Sequence, residues 1–244
     1  MKVQVYIERH LRDKKKMLAL LIDPDKCRGK ILAQQAGLIN SYRPHLVLVG
    51  GSLTSYPVDD VVKYLKEKTD VPVVLYPGHP SQISFSADAL LFLSMISGRN
   101  PELLIGAHVT SAPAIRREGL ETIPTGYMLI NGGVSTSVEY ISQTSPIPSD
   151  KTDIATATAL AGEMLGLKMI YMDAGSGARN PVPPEMIRSV RQNIRIPLMI
   201  GGGIDTREKF HTALRSGADI VVVGNALEKD PELLCKFMEI TSQP

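Results

Sequence analysis

Eight short apolar runs at fairly even spacing decide most of what this chain can fold into. They are Met17–Asp23, His45–Gly50, Pro72–Gly78, Ala89–Met95, Thr125–Ile130, Lys168–Ala174, Pro197–Gly201 and Asp219–Gly224. Most are solidly apolar rather than alternating, the pattern of strands buried on both faces of a parallel sheet. Segments of helical character lie between them. Residues 59–68 set Val61, Val62 and Leu65 against lysines, and residues 152–165 are rich in alanine and leucine. Pro184–Asn193 opens on Pro183-Pro184-Glu185, a good first turn. Residues 206–216 follow Asp205, an expected N-cap, and end before Gly217, an expected C′ residue. Residues 231–240 close the series. Strand–helix alternation of this kind in 244 residues predicts one α/β domain over 1–244, a (β/α)8 TIM-type barrel with room for a modified or irregular third helix. The rival is a doubly wound open sheet. Its dinucleotide-binding form needs G-x-G-x-x-G after the first strand, and here that strand runs into Asp23-Pro24-Asp25-Lys26. The clearest loop is residues 142–150, SQTSPIPSD, after the fifth run.

Composition removes several functions. Lys plus Arg number 27 and Asp plus Glu 25, a near-balance without the basic stripe that nucleic acid requires. The longest apolar runs, Met17–Ile22 and Ile220–Val223, fall far short of the roughly 20 residues that cross a bilayer. Cys27 and Cys235 build neither a disulfide framework nor a four-ligand zinc site. The opening MKVQVYIERHLRDKKK has no apolar core of signal-peptide type. The expectation is a cytoplasmic, reduced protein.

Chemistry-bearing residues fall just after the apolar runs, where a barrel gathers them on one rim. Glycine runs after the last two strands let backbone N–H groups approach an anion, and a helix start behind them adds a positive dipole end. Gly202, Gly203, Gly224 and Asn225 thus read as a phosphate cup, with Gly175-Ser176-Gly177 next door. Taken singly, each glycine also reads as a tight turn. Asp23 and Ser52 are hard oxygen ligands suited to Mg2+, which leaves its other positions to water and phosphate oxygens. Asp-Pro-Asp-Lys is equally a capped turn. Asp173, across the ring from Asp23, suits a general base or a group that binds a substrate hydroxyl. Arg99 offers a fork to a second phosphate group or is a surface arginine. Histidines 10, 45, 79, 108 and 211 show no metal-ligand spacing and read as structural.

Assembled, the motifs LLIDPDK (20–26), LVGGSL (48–53), VLYPG (74–78), ISGRNP (96–101), GYMLINGG (126–133), YMDAGSGA (171–178), IGGGI (200–204) and VVVGNALE (221–228) span nearly the whole chain. In this order the chain resembles the geranylgeranylglyceryl phosphate synthase family, with its bacterial heptaprenylglyceryl phosphate synthase relatives. ISGRNP and AGSGA are similar to the second of the family's two groups. The resemblance implies a Mg2+-dependent prenyltransferase that joins sn-glycerol 1-phosphate to a long polyprenyl diphosphate through an ether bond. It implies Asp23 and Ser52 as metal ligands. It implies Tyr171, Met172, Asp173, Ala174, Gly175, Ser176 and Gly177, then Gly202–Gly203 and Gly224–Asn225, as the glycerol 1-phosphate site. It also implies a homo-oligomer, a dimer or hexamer, with at most peripheral membrane contact. Two departures stand out: Asp173 where many members have Glu, and Leu21 where the other group has a phosphate-binding lysine.

On that reading Asp173 and Arg99 are the catalytic pair, the first at the attacking hydroxyl and the second beside the diphosphate. The tail needs an apolar groove, for which Tyr76, Leu91, Leu93, Ile96 and Leu104 are candidates. A phosphosugar isomerase or lyase is the competing reading of the same cup, and a non-catalytic lipid- or phosphate-binding module is the third.

Overall fold

The computed structural model describes residues 1–241, the side chains of residues 228 and 229 excepted. Eight strands form a closed, parallel barrel in sequence order: β1 Met17–Ile22, β2 Leu46–Val49, β3 Val73–Leu75, β4 Ala89–Met95, β5 Thr122–Leu129, β6 Met169–Asp173, β7 Leu198–Gly201 and β8 Ile220–Val223. The ring closes by pairing Met17 with Ile220 through Leu20 with Val223. The helices are α1 Val3–Arg12, α2 Gly29–Tyr42, α3 Val58–Lys68, α4 Ala107–Glu118, α5 Ser137–Ser142, α6 Thr152–Met164, α7 Pro184–Asn193, α8 Arg207–Arg215, α9 Asn225–Lys229 and α10 Leu233–Thr241.

Period-two alternation sorts the core into two bodies. Met17, Ala19, Leu46, Leu48, Val74, Leu91, Tyr127, Tyr171, Met199 and Val222 fill the lumen. Leu18, Leu20, Val47, Val73, Leu90, Met172, Ile200 and Val221 face the helices. The lumen phase continues past the strand ends, so Asp23, Tyr76, Asp173, Gly203 and Gly224 occupy inward positions at the C-terminal rim. At the opposite end α1 closes the floor. Val3, Ile7 and Leu11, spaced by four, pack into the lumen cluster. Glu121 accepts hydrogen bonds from Val3 N (2.8 Å) and Gln4 N (2.9 Å), capping two otherwise orphaned amides of that helix.

The third helix of the repeat is absent between β3 and β4, replaced by the 3₁₀ turn Pro80–Gln82. After β4 the chain runs through a π-helical turn, Glu102–Gly106, before α4. Ser94 Oγ donates to the Leu104 carbonyl in that turn at 2.7 Å, satisfying one acceptor of the irregular segment.

Three local expectations need correction. Thr206, not Asp205, caps α8, its Oγ1 accepting from Lys209 N at 3.2 Å, while Asp205 pairs with the Lys209 ammonium. Strand β5 starts at Thr122 and includes Pro124, whose ring interrupts the apolar run without ending the strand. The 142–150 stretch is partly ordered, with Ser142 ending α5 and Ile147 bridging Ile130.

Candidate active site

The loop after β1 divides the work of its two aspartates. Asp25 turns outward and accepts Ser55 N (2.9 Å) and Tyr56 N (2.7 Å), pinning the loop that follows Ser52. Those two amides hold its carboxyl below the usual range. Asp23 stays at the barrel mouth, half-buried, with Oδ1 accepting Asp25 N at 3.0 Å and Oδ2 3.6 Å from Lys26 Nζ. Ser52 lies on the adjacent loop. Gln82, buried on the 3₁₀ turn, donates to Gly51 O (2.9 Å) and accepts from Gly78 N (3.0 Å), so this turn braces the Ser52 loop.

Asp173 is the most enclosed carboxylate of the rim. It is 6% exposed. Its Oδ2 accepts from Tyr127 Oη (2.8 Å) and Tyr76 Oη (3.2 Å), and its Oδ1 from Gly175 N (2.8 Å). Burial pushes its carboxyl above the ordinary range, partly offset by those three donors. Tyr171 completes the cluster, its ring centroid 5.5 Å from Tyr76 and 5.4 Å from Tyr127. All three phenols are pushed well up by burial, so they remain neutral donors. Motif reading did not single out Tyr76 and Tyr127 as Asp173 partners. Their inward phase, just past β3 and on β5, was the available signal.

The glycine corner packs directly on this carboxylate. Gly202 has φ +80°, and a Cβ there would stand 2.7 Å from Asp173 Oδ1 and 2.6 Å from Gly175 N. Only glycine satisfies both the backbone and the space. The far side of the cup is joined through Asn225, whose Nδ2 donates to Ser176 Oγ at 2.7 Å and whose Oδ1 accepts from Lys26 Nζ at 2.9 Å. Gly203 and Gly224 flank this arrangement. Helix α8 begins four residues beyond Gly203 and is capped by its own Thr206, so its N-terminus does not stand directly behind the cup. Among the remaining expected residues, Met172 and Ala174 point into the layer between sheet and helices. Gly177 lies exposed at the end of the loop. Arg99 is also exposed, its Nη1 donating to Gly98 O (2.7 Å) and Ile96 O (3.4 Å).

Where the third helix would stand, a cavity of about 250 Å³ opens between β3, β4 and α4. Ser52, Tyr76 and Tyr127 form its rim end, and Leu91, Leu93 and Ile115 carry it along the barrel. Of the expected groove residues, Tyr76, Leu91 and Leu93 line it, whereas Leu104 does not and its neighbour Leu103 does. Ile96 turns to the helix side, with Cδ1 2.8 Å from where a Cβ on Gly126 would stand. The rim thus brings together Asp23 and Ser52, the buried Asp173 carboxylate, a glycine-rich corner and an apolar slot.

The metal expectation can be tested on the donor set. Among the described residues no three His, Cys, Asp or Glu side chains group to hold an ion alone. One carboxylate and one hydroxyl on adjacent loops are a donor set that suits a hard divalent ion taking its other oxygens from water and a phosphate-bearing ligand. Asp23 and Ser52 fit Mg2+ on those terms.

Comparison with known proteins identifies the family and the fold. The profile of the PcrB family matches residues 9–241. Geranylgeranylglyceryl phosphate synthase of Chitinophaga pinensis is 54% identical over 90% of this chain and 87% of its own length. The enzyme of the same name from Spirosoma linguale is 49% identical over 96% of both chains. A crystal structure of (S)-3-O-geranylgeranylglyceryl phosphate synthase from Thermoplasma acidophilum, in complex with sn-glycerol-1-phosphate, matches with TM-score 0.91 at 30% identity, covering 99% of this chain and 97% of that one.

Proposed function

The chain belongs to the PcrB family, and from that premise we propose that it is a prenyltransferase forming an ether bond between sn-glycerol 1-phosphate and a long polyprenyl diphosphate. One observation carries this reading. Tyr76 and Tyr127 hold Asp173 with their hydroxyls and line the apolar slot with their rings. The base and the tail site therefore share a wall, and the phosphate corner packs on the other side of the same carboxylate. A phosphosugar isomerase has no use for that slot.

The reaction breaks the allylic C–O bond of the diphosphate and makes a bond from the glycerol 3-oxygen to the allylic carbon. Diphosphate leaves with the bonding electrons, and the hydroxyl proton passes to Asp173. Enclosure suits Asp173 to this task, since its raised pKa brings it nearer to neutrality as a base. Gly202, Gly203, Gly224 and Asn225 seat the phosphate, which orients the glycerol hydroxyl toward Asp173. Asp23 and Ser52 would hold Mg2+, which when bound supplies the positive charge that makes diphosphate a competent leaving group. Arg99 would assist there once its guanidinium leaves the Ile96 and Gly98 carbonyls. Geranylgeranyl diphosphate is the donor of choice because the relatives carry that name. Each tail CH2 buried contributes about 0.8 kcal/mol.

Self-association draws support from the end of α6, where Met164 and the following Leu165 are largely exposed, with Ile154 about half exposed near its start. No helix of the described residues is long and apolar enough to cross a membrane. Membrane contact would therefore be peripheral, made while the lipid product departs.

The test is incubation with sn-glycerol 1-phosphate, geranylgeranyl diphosphate and Mg2+, followed by extraction and mass spectrometry. The expected product is the phosphorylated ether lipid. Absence of product with every donor from C15 to C35 would overturn the proposal.

A further inference from the structure

The turn that replaces the missing helix is capped by a histidine. His79 Nδ1 accepts from Ser81 N at 3.2 Å and lies 2.9 Å from Ser81 Oγ. A backbone N–H can only donate, so Nδ1 is held as an acceptor and the ring proton sits on Nε2. The cap accounts for that edge of the ring and fixes its tautomer. The Nε2–H lies on the opposite edge, turned away from Ser81, and donates to none of the described residues. His79 is exposed and lines the apolar slot.

Close packing sets this residue beside Ser52. A Cβ on Gly78 would stand 2.5 Å from Gly51 O and 2.9 Å from Ser52 Cα, so any larger residue there would collide with backbone. Glycine lets the loop after β3 lie directly against the loop after β2. Gln82 ties the same two loops together, accepting from Gly78 N and donating to Gly51 O. His79 is the next residue along, and it shares the wall of the slot with Ser52. Cap, glycine contact and glutamine brace together hold the ring at the place where the slot reaches the rim.

We infer that His79 binds the diphosphate of the prenyl donor, its Nε2–H donating to a phosphate oxygen where the slot opens beside Ser52. The inference rests on the prenyltransferase reading, which supplies the chemistry of that ligand. A polyprenyl diphosphate whose tail lies in the slot has its head at the Ser52 end. Its oxygens are anionic, and hydrogen bonds to ionised acceptors are about twice as strong as neutral ones. Arg99, the other side chain assigned to this head, is turned to the Ile96 and Gly98 carbonyls and must leave them first. The imidazole is already fixed by Ser81, so its donor is ordered before the ligand arrives.

Isothermal titration of wild type, H79S and H79F tests this, with Mg2+ present throughout. The probes are geranylgeranyl thiolodiphosphate, whose C–S bond resists cleavage, and separately glycerol 1-phosphate. Wild type is expected to bind both. H79S keeps an oxygen that can cap Ser81 N, whereas H79F keeps the ring volume and loses the cap. Both variants should bind the thiolodiphosphate about tenfold more weakly, the loss of one hydrogen bond to a charged group, and glycerol 1-phosphate as wild type does. A role as cap alone predicts wild-type affinity in H79S, and that result would overturn the assignment. Equal losses for both probes in H79S would overturn it too, since they report damage to the whole rim. The 15N resonance of His79 Nε2 in wild type needs no variant to fold: it should move on adding the thiolodiphosphate and not on adding glycerol 1-phosphate, and a signal that stays still with the thiolodiphosphate would overturn the assignment. Selective weakening in H79S without wild-type binding of glycerol 1-phosphate would uphold the histidine and overturn the acceptor half of the prenyltransferase reading. Wild-type binding of neither probe would overturn both.

Discussion

The two ends of the barrel use the same residue types for opposite purposes. At the floor, polar side chains are consumed by the backbone. Asp219 Oδ2 accepts Leu198 N at 2.9 Å and the Arg191 guanidinium at 2.7 Å. Asp88 Oδ2 accepts Val73 N at 2.7 Å and its carboxylate pairs with Lys66, and His45 Nδ1 accepts Leu18 N at 3.1 Å. Each satisfies an amide at a strand start that the parallel ladder leaves open. At the rim, Asp23 and Asp173 are held by neighbours yet face a mouth lined with glycines and tyrosines. The floor carboxylates are tied to strand-start amides, whereas Asp23 and Asp173 lie at the mouth, where the proposed reaction would use them. The contrast is the usual division of labour in a (β/α)8 barrel, here resolved to individual hydrogen bonds.

Substitutions at the two ends should separate activity from stability. The largest effect belongs to Asp173→Asn, which is expected to lower kcat about 10³-fold while leaving the protein folded. Its stability should rise slightly at pH 8. A carboxyl whose folded pKa is raised contributes stability that is present below the unfolded value and lost as pH rises through the folded one, and asparagine escapes that loss. Product assays and melts at pH 5 and 8 check both halves. Next comes Asp219→Ala, which strips an amide and a guanidinium of their acceptor. Urea unfolding should show a loss of about 3 kcal/mol with kcat nearly unchanged at a temperature where the protein remains folded. A large fall in kcat there would break the separation.

The smallest effect is a pH dependence of the floor. Burial, with help from His10 nearby, lowers His45 to about 4 from 6.5. The sign follows from protonation of the unfolded chain. The histidine's contribution is fully present above pH 6.5 and is lost as pH falls through that value toward 4. The loss should be about 2 kcal/mol once partial solvation is allowed for. His45→Asn keeps an acceptor for Leu18 N without titrating in this range. Its stability curve between pH 7 and 4 should therefore be flatter than that of wild type, measured by thermal melts in matched salt.

The barrel was legible because strands buried on both faces announce themselves as solid apolar runs, and seven of the eight begin within a residue of where the sequence puts them. The helix Pro184–Asn193 matches residue for residue. Helices α1 and α2 were not read out, since Val3, Ile7 and Leu11 lie among charged neighbours and α2 opens on a glycine rather than a strong cap. The rim was legible as a set of positions but not as contacts. Asp173 could be assigned to the mouth from its place at the end of β6. That two tyrosines, one just past β3 and one on β5, converge on one of its oxygens depends on ring closure, which no local pattern encodes. The contact between Lys26 and Asn225 was hidden for the same reason: the two lie 199 residues apart, across the β1–β8 seam.

The three-residue turn Pro80–Gln82 has a consequence beyond the wall it leaves out. By dropping one helix the barrel acquires a doorway on its flank, and the jamb of that doorway is the segment whose glutamine steadies the Ser52 loop. On the proposed reading, a lipid tail in this side entrance would lie along the same frame that steadies the Ser52 loop. Cargo and catalytic apparatus would then be registered to a single strut, and a change in the turn would misalign both together.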